Sequence, residues 1–141
     1  YFQQMAGFEC KPVSVELTYG LERICMFTQG KNNVFDLVWN NSGIKYKEIF
    51  FQAEKEYSAY NFEHANTGNL LKIFEMAESE CKYLLDKKLP LPAYDQCLKA
   101  SHVFNLLDAR GVVGVAQRTG FISRIRELAK GSGEVWLETQ K

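Results

Sequence analysis

The sequence predicts a mainly α-helical chain that opens with a small antiparallel β segment. Three observations carry this reading. Residues 67–87 place Leu70, Leu71, Phe74, Ala77, Cys81, Leu84 and Leu85 on one helical stripe. Residues 11–18 alternate Val13, Val15 and Leu17 against Ser14, Glu16 and Thr18, the period-2 pattern of a strand with one apolar face. Beyond residues 40–43 the apolar spacing stays helical almost to the end of the chain.

Each element follows from local chemistry. Residues 1–5 read as a first short strand and Ala6-Gly7 as the start of a loop. Residues 11–18 form the second strand, with Pro12 tolerated near its entry. Gly20 breaks the extended run. Residues 21–29 then read as a helix, with Leu21, Ile24, Cys25 and Thr28 inward and Gly30 as its stop signal. Residues 34–39 (VFDLVW) are apolar and fit either a strand or a helical turn. Residues 40–43 are loop.

Helices are predicted over 46–62, 67–87, 92–109 and about 113–130. The first turns Ile49, Phe50, Ala53, Tyr57 and Tyr60 inward. Leu89-Pro90-Leu91-Pro92 separates the second from the third, and Pro92 suits the first helical turn. The third turns Tyr94, Cys97, Leu98, Ser101, Phe104 and Leu107 inward. The last does so with Phe121, Ile122, Ile125, Leu128 and Ala129, before Gly131 and Gly133 weaken its end.

Composition bounds the function. The chain has 141 residues, 46% hydrophobic and 24% charged, with 17 basic and 17 acidic side chains. Zero formal net charge argues against a general nucleic-acid coat protein. No apolar stretch approaches the roughly 20 residues that span a bilayer. Cys10, Cys25, Cys81 and Cys97 lie far apart, without metal-binding spacing, and read as reduced thiols in a cytosolic protein.

The stretch ELTYGLERICMF, residues 16–27, concentrates the chemistry. Glu16 and Thr18 share one face of a strand. Gly20 permits close approach of a ligand to the backbone. Free N–H groups at the following helix start attract anions. Arg23 stands in that first turn, against the helix dipole, a mismatch of about 0.3–1 kcal/mol. Such a cation points at a carboxylate elsewhere or at a ligand, and a guanidinium also stacks on flat rings.

Thr18-Tyr19-Gly20-Leu21-Glu22-Arg23 resembles the third signature motif of class II aminoacyl-tRNA synthetases. The resemblance extends through ECKP, FDLVW, YSAYNFEHA, PLPAYDQCLKASHVFNLLDARG, VAQR and RIRELAK. Over residues 1–130 the chain is similar to the α subunit of the bacterial heterotetrameric glycyl-tRNA synthetases. The resemblance implies a fold: residues 1–39 as the C-terminal part of a class II catalytic core, with the last strands of its sheet, and residues 40–141 as an appended helical domain.

It also implies a reaction. Glycine and ATP give glycyl-adenylate, and glycine then passes to tRNA(Gly). By the resemblance, Arg23 stacks on the ATP adenine near the phosphates, and Gly20 lets the nucleotide approach. Glu16 receives the glycine ammonium, a fitting charge pair. Thr18 lines a pocket too small for a side chain, with Gln3 or Gln4 as a further polar contact. The implied partners are a β subunit, a second α subunit and tRNA(Gly), in the cytoplasm, with Mg2+ accompanying ATP and no membrane.

Two earlier class II motifs do not precede Tyr1, which reads as mid-strand. The expectation is therefore the C-terminal piece of a longer chain, or its ordered part, inactive by itself. The alternatives are a non-catalytic helical module that docks a β subunit or tRNA, and a paralogue that binds adenylates without charging tRNA. Residues 110–130 hold Arg110, Arg118, Arg124, Arg126 and Lys130 against Glu127. This basic stretch fits a solvated face, tRNA phosphates or a subunit interface. Asn105, Asp108 and Arg110 read as a structural polar corner.

Overall fold

The computed structural model describes residues 1–140. The elements are β1 (Phe2–Met5), β2 (Phe8–Ser14), α1 (Leu21–Thr28), α2 (Tyr46–Ala59), α3 (Thr67–Asp86), α4 (Pro90–Ala109) and α5 (Val115–Thr139). A 3-10 turn (Val34–Asp36) precedes α2, and a π-turn (Tyr60–His64) follows it. The chain is thus mainly helical, with one two-stranded antiparallel sheet.

The core lies between α3, α4 and α5. The Asn66 side chain caps α3 by accepting from the Asn69 N–H at 3.0 Å. Leu70, Phe74, Ala77 and Cys81 then line its buried face, as their spacing predicts. Helix α4 begins at Pro90 rather than Pro92. A proline at the first helical position gives up an N–H that has no partner there. Its inner seam is Ala93, Cys97, Ala100, Phe104 and Leu107, small residues interleaved with large. Tyr94 and Leu98, expected inward, lie on the opposite face, about half exposed. Phe121 of α5 meets Phe74 edge-on at 4.9 Å and stacks on Phe104 at 5.7 Å.

Helix α5 continues to Thr139, well past the expected end near residue 130. The two glycines that suggested a stop are close-packing positions. A Cβ on Gly131 would sit 3.0 Å from Leu85 Cδ1. One on Gly133 would sit 3.3 Å from the Ala6 Cβ, in the hairpin turn. Helix propensity is surrendered there for contact.

The N-terminal part is arranged differently. β1 pairs antiparallel with β2 through Phe2↔Ser14, Gln4↔Glu9 and Met5↔Phe8, with an irregularity between the first two pairs. The second strand ends at Ser14, not at residue 18, because no described residue pairs with the backbone beyond it. Val13, Val15 and Leu17 are exposed, Leu17 to 77%. Helix α1 ends where expected, with Gly30 at φ +61°. Its expected inward stripe is nevertheless open: Leu21 is 78% exposed, and only Cys25 and Met26 are half-buried. Helix α2 likewise buries no side chain fully. Ile49, Tyr57 and Tyr60, expected inward, are exposed.

Residues 34–39 resolve into the 3-10 turn and an isolated bridge, Val38↔Lys45. Leu37 is buried there. The Asn40 side chain closes the following turn, accepting from the N–H groups of Ser42 at 3.1 Å and Ile44 at 3.3 Å.

Candidate functional site

The segment between β2 and α1 carries the candidate residues. Residues 15–20 have no regular structure and are exposed. Gly20 is the N-cap of α1 at φ +78° and ψ 119°, a conformation that a side chain would strain. Its carbonyl accepts the first helical bond, from Ile24 N–H at 3.2 Å. A Cβ built on Gly20 would meet only Arg23, at 3.8 Å from Cδ and 3.9 Å from Cγ. The aliphatic stem of Arg23 therefore lies back over the glycine.

The Arg23 guanidinium is exposed and makes no hydrogen bond or ion pair among the described residues. Of the two readings left open by its position in the first turn, the intramolecular carboxylate partner is not formed. Glu22 points elsewhere. Its carboxylate lies beside the Tyr46 hydroxyl at the start of α2. Burial first, then the nearby Glu22 and Glu54 charges, push the Tyr46 phenol up.

Glu16 and Thr18 do share a face, although the strand stops short of them. The Thr18 hydroxyl donates directly to the Glu16 carboxylate. Gly20 and Arg23 form one pair and Glu16 and Thr18 another. No hydrogen bond or ion pair among the described residues joins the two pairs. Gln3 and Gln4 line a shallow groove with Glu9, Cys10, Lys11, Pro12 and Val13. Neither Glu16 nor Arg23 is among those lining residues.

Sequence reasoning missed how α1 is held. The Gln29 side chain, at its C-cap, pairs with the backbone of Val38. Its amide donates to the Val38 carbonyl at 3.0 Å and accepts from the Val38 N–H at 2.8 Å. An aromatic group beneath this loop was also missed. Phe35 meets Phe51 edge-on at 5.0 Å, Trp39 meets Phe50 at 5.4 Å, and Tyr46 lies 4.6 Å from Phe50. The i, i+4 spacing of Tyr46 and Phe50 was the available signal.

Four of the five cations in the basic stretch have partners, two of them, Arg118 and Lys130, at the surface. Arg110 donates to the Ala65 carbonyl at 2.8 Å. Arg118 pairs with Asp108 at 3.1 Å, and Lys130 lies 3.9 Å from Glu134. Arg124 pairs with Glu78. Arg126 is exposed, and Arg118 and Lys130 keep about half of their side chains open to solvent. Asn105, Asp108 and Arg110 do not form one polar corner: Arg110 reaches the Ala65 carbonyl, Asp108 pairs with Arg118, and no side-chain hydrogen bond among the described residues joins the three. Among the described residues, no group of three or more His, Cys, Asp or Glu side chains is placed to hold a metal ion.

Compared with known protein families, residues 1–141 match the family model described as "Glycyl-tRNA synthetase alpha subunit".

Proposed function

We propose a function from one premise: the chain belongs to the glycyl-tRNA synthetase alpha-subunit family. It contributes to the activation of glycine by ATP. In that reaction a glycine carboxylate oxygen attacks the α-phosphorus, the bond to pyrophosphate breaks, and glycyl-adenylate forms. A terminal hydroxyl of tRNA(Gly) then attacks the glycyl carbonyl, and AMP leaves.

The observation that carries this reading is the exposed Arg23 side chain, lying over Gly20 with no partner among the described residues. A guanidinium so placed is available to stack on adenine and to face phosphate oxygens. Gly20 offers backbone without a side chain at the point of approach. Glu16 is the proposed acceptor for the glycine ammonium, and Thr18 steadies that carboxylate by donating to it. Selection of glycine would then rest on excluding anything larger, since glycine offers no side chain to grip.

The apolar side chains left open on Val15, Leu17, Leu21 and Phe27 support a further element of the proposal. Residues 1–39 belong to a class II catalytic core whose remaining strands cover these faces, and residues 40–141 form a helical domain. The proposed partners are a β subunit, a second α subunit and tRNA(Gly), in the cytoplasm. No described helix is long and apolar enough to cross a membrane. Mg2+ is proposed to arrive with the phosphates of ATP.

The test is exchange of labelled pyrophosphate into ATP by the assembled α and β subunits. The reading requires exchange with glycine and little with alanine or serine. Exchange indifferent to the amino acid would remove the glycine assignment. The 141-residue chain alone should give no glycine-dependent exchange.

A further inference from the structure

Helix α1 presents Arg23, yet it is poorly held by packing. It has eight residues and no fully buried side chain. A helix this short is marginal without tertiary support. Its orientation must come from a specific tether, and the structure offers one.

That tether is at the C-terminal end. Both polar atoms of the Gln29 amide pair with the backbone of one residue, Val38, at 3.0 and 2.8 Å. This imitates a strand pairing, because Val38 offers one donor and one acceptor on the same side. Val38 is itself fixed. Its neighbour Leu37 is buried and accepts from Tyr46 N–H at 2.8 Å. Trp39 N–H donates to the Ile44 carbonyl at 2.7 Å. The aromatic group of Phe35, Trp39, Tyr46 and Phe50 packs on the same loop. The tether leads to the junction of the loop and α2.

We propose that Gln29 is a positioning residue for ATP binding, clamping α1 to the Val38 backbone so that Arg23 is aimed at the nucleotide. This rests on the assignment of Arg23 to ATP. Gln29 touches no substrate. It acts by limiting the tilt of the helix, and small misplacements of a binding group cost rate steeply.

The test compares Gln29→Ala, Arg23→Ala and the double variant in the assembled synthetase. Gln29→Ala should raise the KM for ATP roughly 5- to 20-fold and leave the KM for glycine within about twofold. The double variant should be no worse than Arg23→Ala alone, because an unaimed arginine and an absent one are equivalent. Hydrogen exchange supplies a readout independent of activity. Amides of residues 21–28 should exchange faster in Gln29→Ala, while those of α3 and α4 stay protected. Unchanged exchange in α1, equal rises in both KM values, or additive losses in the double variant would each overturn the proposal. Wild-type ATP binding by Arg23→Ala would instead overturn the ATP assignment, with the α1 exchange result still deciding whether the clamp exists.

Discussion

Arg124 of α5 grips Glu78 of α3 with two nitrogens. Its Nε lies 3.1 and 3.2 Å from the two carboxylate oxygens, and its terminal nitrogen bonds one of them directly. The guanidinium also lies over the Phe74 ring at 4.5 Å and near Phe121 at 5.3 Å. Lys82, one turn along α3, adds a third donor at 2.9 Å. The pair thus bolts two helices of the core together across an aromatic layer.

This pair makes stability depend on acid. Hydrogen bonding from Arg124 outweighs burial and lowers the Glu78 carboxyl from 4.5 to about 2. A carboxyl depressed in the folded state contributes its full stability above the unfolded value and loses it as pH falls through the folded one. The contribution should therefore fade between about pH 4.5 and pH 2. Arg124 is partly exposed, so solvent screening limits it to on the order of 2 kcal/mol. Urea unfolding of wild type and Glu78→Gln at pH 7 and pH 3 checks this. The gap between them should be wide at pH 7 and narrow at pH 3.

Removing Arg124 should cost more at neutral pH than removing both partners. Arg124→Met leaves the largely buried Glu78 carboxylate with Lys82 as its cation, and about 2–4 kcal/mol should be lost. The double variant Glu78→Leu with Arg124→Met should recover part of that loss. Equal destabilisation of the single and double variants would show that packing, not charge, holds this contact.

The glycines of α5 should respond in opposite directions. A Cβ at Gly120 meets nothing within 4 Å, so Gly120→Ala should stabilise the helix by roughly 0.5–1 kcal/mol. A Cβ at Gly133 meets Ala6 and Phe8 at 3.3 and 3.4 Å. Gly133→Leu should push the hairpin off α5 and lower the melting temperature. Calorimetry of the two variants checks both signs.

The four thiols should divide into two classes. Cys81 and Cys97 are buried, and burial raises both thiols, Cys97 to about 11. Cys10 and Cys25 are partly exposed. A thiol reagent at pH 8 should label Cys10 and Cys25 quickly and the other two only after unfolding. Fast labelling of Cys97 in the native protein would contradict the described packing.

The bundle was legible because its physics is local and periodic. Leu70, Phe74, Ala77 and Cys81 announce a buried stripe whatever surrounds them. The α4 seam was only half legible. Leu98 is as apolar as Cys97, and Tyr94 is largely so, so hydrophobicity alone could not tell the inner face from the outer. Gly131 and Gly133 misled for a related reason: a glycine chosen for helix contact resembles one chosen to end a helix. At the candidate site, the oddity of Arg23 could be read directly; the Glu16–Thr18 bond was not read, since the strand expected to put the two on one face ends at Ser14. The Gln29–Val38 clamp could not. It joins a side chain to a backbone nine residues away, and backbone polarity is the same at every position.

The most direct test of the account is the Arg23→Ala variant in glycine-dependent exchange of pyrophosphate into ATP. With the assembled synthetase at subsaturating ATP, exchange should fall roughly 100-fold or more, the scale of losing one charged contact to a developing anion. The melting temperature should not move, since Arg23 is exposed and makes no hydrogen bond or ion pair among the described residues. Exchange at the wild-type rate would contradict the account, whatever the family match.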